Sequence, residues 1–136
     1  VMMAHIVYPQ MDPLPAGFAP FWIQRELRSR LGFDGAVLSD DLSMKATRRY
    51  GTMPERARRA LEAGCDMILI CNDRDAAQAA VRALKDYSNP LSLVRLARLH
   101  ATGHVMRESL LASDEWHAAH SELSQWTEPP ELELDA

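Results

Sequence analysis

A short motif that occurs twice constrains the fold of this chain most strongly. Leu31-Gly32-Phe33-Asp34 and Ala63-Gly64-Cys65-Asp66 each place a glycine after an amphipathic stretch, and the aspartate of each motif precedes a short apolar run. The two glycines are 32 residues apart, which is the size of one strand–helix unit in a βαβ series. The repeat therefore predicts an α/β fold with a parallel sheet, either doubly wound or of the (β/α)8 type.

Three apolar runs, residues 1–8, 36–38 and 67–70, predict the strands of that sheet. Their length suits parallel strands that are buried on both faces. Prolines and a glycine in residues 10–19 predict a loop after the first run. Helices are predicted from Pro20 to the stop at Gly32 and over residues 55–63, 75–85, 92–101 and 107–126, with a possible break in the last near Ser113-Asp114.

Composition excludes several classes of function. The 15 basic and 19 acidic residues give a net charge of −4, which argues against a nucleic-acid-binding surface. Apolar runs fall short of the ~20 residues that a membrane helix needs, so no membrane partner is expected.

The cysteine content and the first residues bear on location and extent. Two cysteines cannot form a disulfide framework, and we expect a cytoplasmic location. Because the chain begins inside an apolar run, we also expect that its beginning is missing.

The candidate site lies where the predicted strands end, because loops at the carboxyl ends of parallel strands carry the chemistry of such folds. Three such ends are visible, at His5, at Ser39-Asp40-Asp41 and at Cys71-Asn72-Asp73. Asp40, held at the end of a buried strand, suits a nucleophile or a metal ligand. A turn or cap residue is the alternative for Asp40, and Asp41 is the better candidate for a cap.

The remaining polar residues favour structural roles. His5 could orient a substrate hydroxyl, but a lone histidine in an apolar strand is more often a satisfied core residue. Cys71 is interpreted as a packing residue. No nucleotide-binding loop or zinc spacing is present, so neither a cofactor nor a metal is expected. Four further histidines are interpreted as surface residues: His100, His104, His117 and His120.

The segment Gly32-Phe33-Asp34-Gly35-Ala36-Val37-Leu38-Ser39-Asp40-Asp41-Leu42-Ser43-Met44 closely resembles the nucleophile segment of glycoside hydrolase family 3. The bacterial β-N-acetylhexosaminidase branch, which trims peptidoglycan fragments, is the most similar. Val1-Met2-Met3-Ala4-His5 resembles the preceding strand of that branch, and residues 63–72 resemble its last barrel strand. The resemblance covers most of the chain.

This resemblance implies a (β/α)8 barrel and a retaining glycosidase mechanism in which Asp40 is the nucleophile. It also implies an acid/base histidine, assisted by an aspartate, on a mobile loop after an earlier strand. His5 does not match that acid/base motif, and no residue of this chain is assigned the role. The substrate implied is a terminal β-linked N-acetylglucosamine of peptidoglycan fragments.

The expected architecture is therefore the C-terminal part of a TIM barrel, with about three parallel strands that resemble strands six to eight. Residues 1–90 would form the last strand–helix units, residues 91–126 C-terminal helices packing on the same domain, and residues 127–136 a disordered acidic tail. A whole barrel takes about 250 residues, so we expect the piece alone to be inactive and poorly folded. The oligomeric state stays open, with a monomer expected for the complete protein.

Two alternatives remain. A metal-dependent phosphotransfer module would use Asp40 and Asp41 as ligands, with Asp73 and Arg74 as the nearby candidates for a third carboxylate and a phosphate-binding cation. A non-catalytic helical interaction module would be built on residues 92–126. Its faces are mixed in polarity, which gives no clear groove-binding pattern.

Overall fold

The computed structural model describes residues 1–126, which fall into two compact units. The predicted acidic tail, residues 127–136, lies outside the described residues. The first unit spans Val1–His100. Its elements are β1 (Met2–Met3), β2 (Val7–Tyr8), β3 (Asp12–Pro15), a 3-10 turn (Ala16–Phe18), a π-helix (Phe21–Arg30), β4 (Leu38–Asp41), a 3-10 helix (Lys45–Tyr50), α1 (Met53–Ala63), β5 (Met67–Leu69), α2 (Arg74–Ala83) and α3 (Pro90–Ala97).

A three-stranded parallel sheet organises the first unit, with strand order β1-β4-β5. Met2 pairs with Leu38, and Leu38 pairs in turn with Met67, so β4 is the central strand. The π-helix connects β1 to β4 in sequence and α1 connects β4 to β5, as parallel crossovers require. The prediction of a parallel α/β sheet with about three strands is confirmed.

The first predicted strand is wrong beyond its third residue. Only Met2–Met3 pairs with β4, and the chain then leaves the sheet. Val7–Tyr8 forms an antiparallel hairpin with Asp12–Pro15, where a loop was predicted. Pro13 and Pro15 disfavoured a strand, but prolines are tolerated in an edge strand whose N–H positions face away from a partner.

Both glycines of the repeated motif lie where the pattern predicts helix ends. Gly64 follows α1 with a φ of +117°, and Gly32 follows the π-helix with a φ of +67°. These left-handed conformations favour glycine because other residues meet a steric penalty there. Thr52 and Glu55 form a capping box at the start of α1. The helix predicted between Pro20 and Gly32 is present, but with π-type hydrogen bonds such as Leu31 N–H to Glu26 O.

The core lies between the sheet and α1. Alanines Ala57, Ala60 and Ala63 line the buried face of α1 and let the helix pack closely on the sheet. Ile23 from the π-helix and Val37 beside β4 are fully buried in the same cluster. Burial of this apolar surface stabilises the layer of helices on the sheet.

A buried carboxylate, Asp66, joins four parts of the first unit. Its Oδ2 accepts hydrogen bonds from Arg28 Nη2 at 2.7 Å and from the backbone N–H of Val37 at 2.8 Å. Its Oδ1 accepts from Ser92 Oγ at 2.7 Å and from Arg95 Nη1 at 3.3 Å. The aspartate of the second motif therefore connects the π-helix, the start of β4, the start of β5 and α3.

The second unit begins at Ala101. It contains α4 (Arg107–Leu111) and α5 (Asp114–Ser124), separated by Ala112 and Ser113. The Ser113 hydroxyl accepts a hydrogen bond from the N–H of Trp116 and caps α5. The predicted break near Ser113-Asp114 is confirmed. Within residues 1–126, no helix is both long and apolar enough to cross a membrane.

Replacing Asp66 by asparagine should destabilise the protein strongly, because it leaves the buried Arg28 guanidinium without its counter-ion. We expect the free energy of unfolding of the complete protein to fall by about 3–5 kcal/mol, measured by urea denaturation. Asp34→Asn is the matched control, since Asp34 pairs with Arg95 and Arg98 at the surface and should change stability little. Equal effects of the two substitutions would contradict the importance of the buried pair.

Candidate active site

A β-bulge at the carboxyl end of β4 shapes the candidate site. Leu38 pairs with Met67 and Asp41 with Leu69, so β4 contains one more residue than β5 between the paired positions. The fully buried Ser39 compensates for the lost backbone pairing, because its Oγ accepts a hydrogen bond from Leu69 N–H at 3.0 Å. Bulges next to active sites re-aim a side chain, and here the residue within the bulge beside Ser39 is Asp40.

Asp40 lies half-buried in this bulge, at the carboxyl end of the central strand, where the prediction placed a functional carboxylate. Its Oδ1 accepts a hydrogen bond from the backbone N–H of Asp41 at 2.7 Å. This bond fixes the orientation of the Asp40 carboxylate relative to the backbone of the next residue. A carboxylate held in one orientation on a strand suits attack on a substrate atom better than one on a mobile loop.

Asp41 fastens the end of β4 to its surroundings. Its Oδ1 accepts from Cys71 N–H at 3.0 Å and from Ser43 N–H at 2.8 Å, and its Oδ2 accepts from Ser43 Oγ at 2.6 Å. Partial burial opposes ionisation of Asp41, but these hydrogen bonds and the nearby His5 outweigh it and hold the pKa of Asp41 below its usual value of 3.8. The bond to Ser43 N–H, two residues on, closes a turn. The prediction of Asp41 as a cap is wrong, because the cap position of the following 3-10 helix is Met44, which has no side-chain cap hydrogen bond.

His5 lies half-buried beside β4, and its Nε2 is 3.1 Å from the backbone carbonyl oxygen of Asp41. A carbonyl only accepts hydrogen bonds, so Nε2 carries the proton. Nδ1 is enclosed and has no hydrogen-bond partner among residues 1–126. The His5 ring packs against Phe18 with a centroid separation of 5.7 Å. His5 is thus a packed residue, as the pattern of its strand favoured, although only one of its two ring nitrogens has a hydrogen-bond partner among residues 1–126.

The loop after β4 is held by a half-buried arginine that sequence reasoning missed. Arg56 of α1 donates from Nη1 to Leu42 O at 2.6 Å and to Thr47 Oγ1 at 2.9 Å. The hydroxyl of Thr47 in turn donates to Leu42 O and Met44 O. Arg56 looked like an ordinary polar residue of an amphipathic helix, and no spacing marked it as different from its neighbours.

The candidates for a metal or phosphate site are not brought together. Asp73 Oδ1 accepts from Ala76 N–H and caps α2. Within the described part of the chain, no group of three or more metal-ligating side chains is present.

The cysteines and the remaining histidines differ in burial. Cys71 is half-buried. Cys65 is fully buried, and its burial raises the pKa of its thiol to about 12. The four histidines interpreted as surface residues are exposed: His100, His104, His117 and His120.

Comparison with known proteins decides the family. The Glycosyl hydrolase family 3 N terminal domain matches residues 1–101. The chain belongs to this family. A beta-hexosaminidase of Thioalkalivibrio sulfidiphilus is 47% identical over 135 residues, which are 99% of this chain and 39% of that protein. A beta-hexosaminidase of Hydrogenovibrio crunogenus is 44% identical over 126 residues, 93% of this chain and 35% of the relative.

Solved structures agree with this assignment. Native NagZ from Neisseria gonorrhoeae matches 95% of this chain and 36% of its own, with a TM-score of 0.76 and 33% identity. A family 3 β-N-acetylglucosaminidase from Paenibacillus matches 92% of this chain and 27% of its own, with a TM-score of 0.70 and 30% identity. These matches and the parallel sheet confirm the expected fold class, part of a (β/α)8 barrel. The chain spans about two fifths or less of these curated relatives and solved structures.

The depressed pKa of Asp41 predicts a pH-dependent contribution to stability. The ionised carboxylate stabilises the fold above the ordinary value of 3.8, and the contribution is lost as the pH falls through the lower value of the folded state. Asp41→Asn should lower the free energy of unfolding by about 1–3 kcal/mol at pH 7. The difference from the wild type should narrow as the pH falls below about 4.

Urea denaturation at a series of pH values measures this difference. Asp86→Asn, at an exposed position, controls for the loss of one negative charge. A difference between the wild type and Asp41→Asn that stays constant from pH 7 to pH 3 would contradict the role of the ionised carboxylate.

Proposed function

We propose that this chain carries the nucleophile of a retaining β-N-acetylhexosaminidase, and that Asp40 is that nucleophile. The observation that carries the proposal is the position of Asp40 in a bulge at the carboxyl end of the central parallel strand, in a chain of glycosyl hydrolase family 3. Active sites of barrel enzymes lie at that end of the strands. The hydrogen bond from Asp41 N–H supplies the fixed orientation that a nucleophile needs.

In the proposed reaction, an oxygen of the ionised Asp40 carboxylate attacks the anomeric carbon of the sugar. The bond from that carbon to the leaving-group oxygen breaks, a general acid protonates the departing oxygen, and a covalent glycosyl–enzyme forms. Water, deprotonated by the same group acting as a base, then attacks the anomeric carbon and frees Asp40. Two displacements at one carbon retain its configuration.

The acid/base group is proposed to come from outside these residues. The sequence resemblance implies a histidine assisted by an aspartate on a loop after an earlier strand, and His5 does not match that motif. Nε2 of His5 is engaged with the Asp41 carbonyl, so the proton on that nitrogen is already committed to a structural bond. The chain would therefore supply one half of the catalytic pair.

The proposed substrate carries a terminal, β-linked N-acetylglucosamine. Support comes from the curated relatives named beta-hexosaminidase and from a NagZ structure in complex with N-trifluoroacetyl-D-glucosamine, which matches this chain with a TM-score of 0.74 at 34% identity. Following the resemblance to the branch that trims peptidoglycan fragments, we propose a cytoplasmic role in cell-wall recycling, with the complete protein a monomer.

The phosphotransfer alternative receives no support from the site. It needs the carboxylate of Asp73 as a third ligand, and that carboxylate caps α2 instead. The alternative also predicts a shift of thermal stability on addition of Mg²⁺.

Asp40→Asn should abolish hydrolysis of a chromogenic N-acetyl-β-D-glucosaminide by the complete protein. We expect a loss of about 10⁴-fold or more, as for other covalent nucleophiles, with stability retained because the side chain keeps its shape. Asp73→Asn is the matched control at the neighbouring strand end, since asparagine also caps helices well and activity should persist. A fluoro-sugar inactivator should label Asp40, and labelling of another residue would refute the assignment.

The 136-residue chain by itself should not hydrolyse the same substrate. Apolar cavities of about 560 Å³ beside β5 and about 480 Å³ beside β1 leave both outer strands incompletely covered, as expected for part of a barrel. A turnover assay on the purified chain tests this expectation, with the complete protein as the positive control. Hydrolysis by the chain alone at a rate similar to that of the complete protein would overturn it.

A further inference from the structure

We infer that His5 is a positioning residue for Asp40, acting through the backbone of Asp41, whose carbonyl and N–H belong to the two peptide groups that flank its Cα. The inference rests on the proposed function, because it assigns His5 a role in the same reaction. The structure shows a path of two hydrogen bonds. His5 Nε2–H donates to Asp41 O at 3.1 Å, and Asp41 N–H donates to Asp40 Oδ1 at 2.7 Å.

The register of the sheet brings His5 beside Asp41, just past the end of β1. Met2 and Met3 of β1 pair with Leu38 and Ser39 of β4, and continuing that register places residue 5 opposite Asp41. By then β1 has ended and the chain has turned towards the β2–β3 hairpin. The imidazole of His5 spans this gap and donates to the Asp41 carbonyl from the β1 side.

The other contacts of Asp41 come from different directions. Its carboxylate is held by Cys71 N–H after β5 and by Ser43 in the following loop, and its carbonyl also accepts from Met44 N–H at 3.2 Å. His5 provides the contact from the β1 side. The carbonyl and the side chain of Asp41 are thus held from three directions, which restricts rotation about its backbone φ and ψ angles. This restriction fixes the Asp41 N–H, which holds the Asp40 carboxylate.

The surroundings of the ring define which atom matters. Nδ1 is enclosed without a hydrogen-bond partner in the described part of the chain, and the ring packs against Phe18. The useful proton is therefore the one on Nε2. A glutamine places its amide N–H at about the reach of Nε2, whereas an asparagine places it at about the reach of Nδ1.

The experiment compares three variants in the complete protein: His5→Phe, His5→Gln and His5→Asn. We measure kcat and KM with a chromogenic N-acetyl-β-D-glucosaminide, the rate of inactivation by a fluoro-sugar, and the melting temperature. His5→Phe and His5→Asn should lose about 10- to 100-fold in kcat and in inactivation rate, with KM little changed, since a misplacement of about 1 Å costs about that much. His5→Gln should recover most of the lost rate.

Several results would overturn the inference. These are wild-type kcat in His5→Phe, a raised KM with unchanged kcat, or equal losses in His5→Gln and His5→Asn. The comparison of glutamine with asparagine keeps the test valid if phenylalanine impairs folding, because both polar variants are compared at equal folded fraction. NMR of the imidazole nitrogens provides a readout independent of turnover: the Nε2-protonated tautomer is expected, and the Nδ1-protonated tautomer would overturn the inference.

The proposed function is judged separately in the same series. Wild-type protein without hydrolysis, or an Asp40→Asn variant with full activity, would refute the assignment of Asp40 whatever the His5 variants do. A wild type that is active and an Asp40→Asn variant that is not, together with His5→Phe at the wild-type rate, would refute only the role of His5.

Discussion

The ion pair between Asp66 and Arg28 holds the first unit of this protein together. Both side chains are almost completely buried, and their contacts reach the π-helix, the starts of β4 and β5, and α3. Burying two charges is costly unless each is paired and its remaining polar atoms are hydrogen-bonded. The Asp66 carboxylate meets that condition with four donors, so the pair fixes how helices and strands are arranged.

The two ends of the sheet have different tasks. At the amino ends of β4 and β5, Asp66 accepts hydrogen bonds that stabilise the packing of elements. At the carboxyl ends, the Asp41 carboxylate accepts hydrogen bonds from Cys71 and from Ser43 in the following loop, and the Asp41 N–H donates to Asp40. This division is the usual one in parallel α/β folds, where stability and chemistry lie at opposite ends of the strands.

Local patterns predicted the parts of the fold that depend on local physics. Gly32 and Gly64 end helices because their positive φ angles favour glycine, and Ser113 caps α5 because its hydroxyl reaches a nearby N–H. The hairpin of β2 and β3 was not predictable in this way. Its pairing depends on where β1 leaves the sheet, and the prolines of β3 pointed to a loop. No local pattern distinguished Arg56 from its helix neighbours or showed that the Asp66 carboxylate is buried, since burial and partners far along the chain decide the roles of both residues.

The sequence by itself determined the parallel α/β class, the position of Asp40 after a buried strand and, through the motif around it, the resemblance to glycoside hydrolase family 3. These depend on periodicity and on residues adjacent in the chain. Only the tertiary structure decided that β4 carries a bulge, that Asp41 fastens its end, and that His5 contacts the Asp41 carbonyl. Those features join residues about 30 positions or more apart, and such contacts arise only when the strands pack side by side.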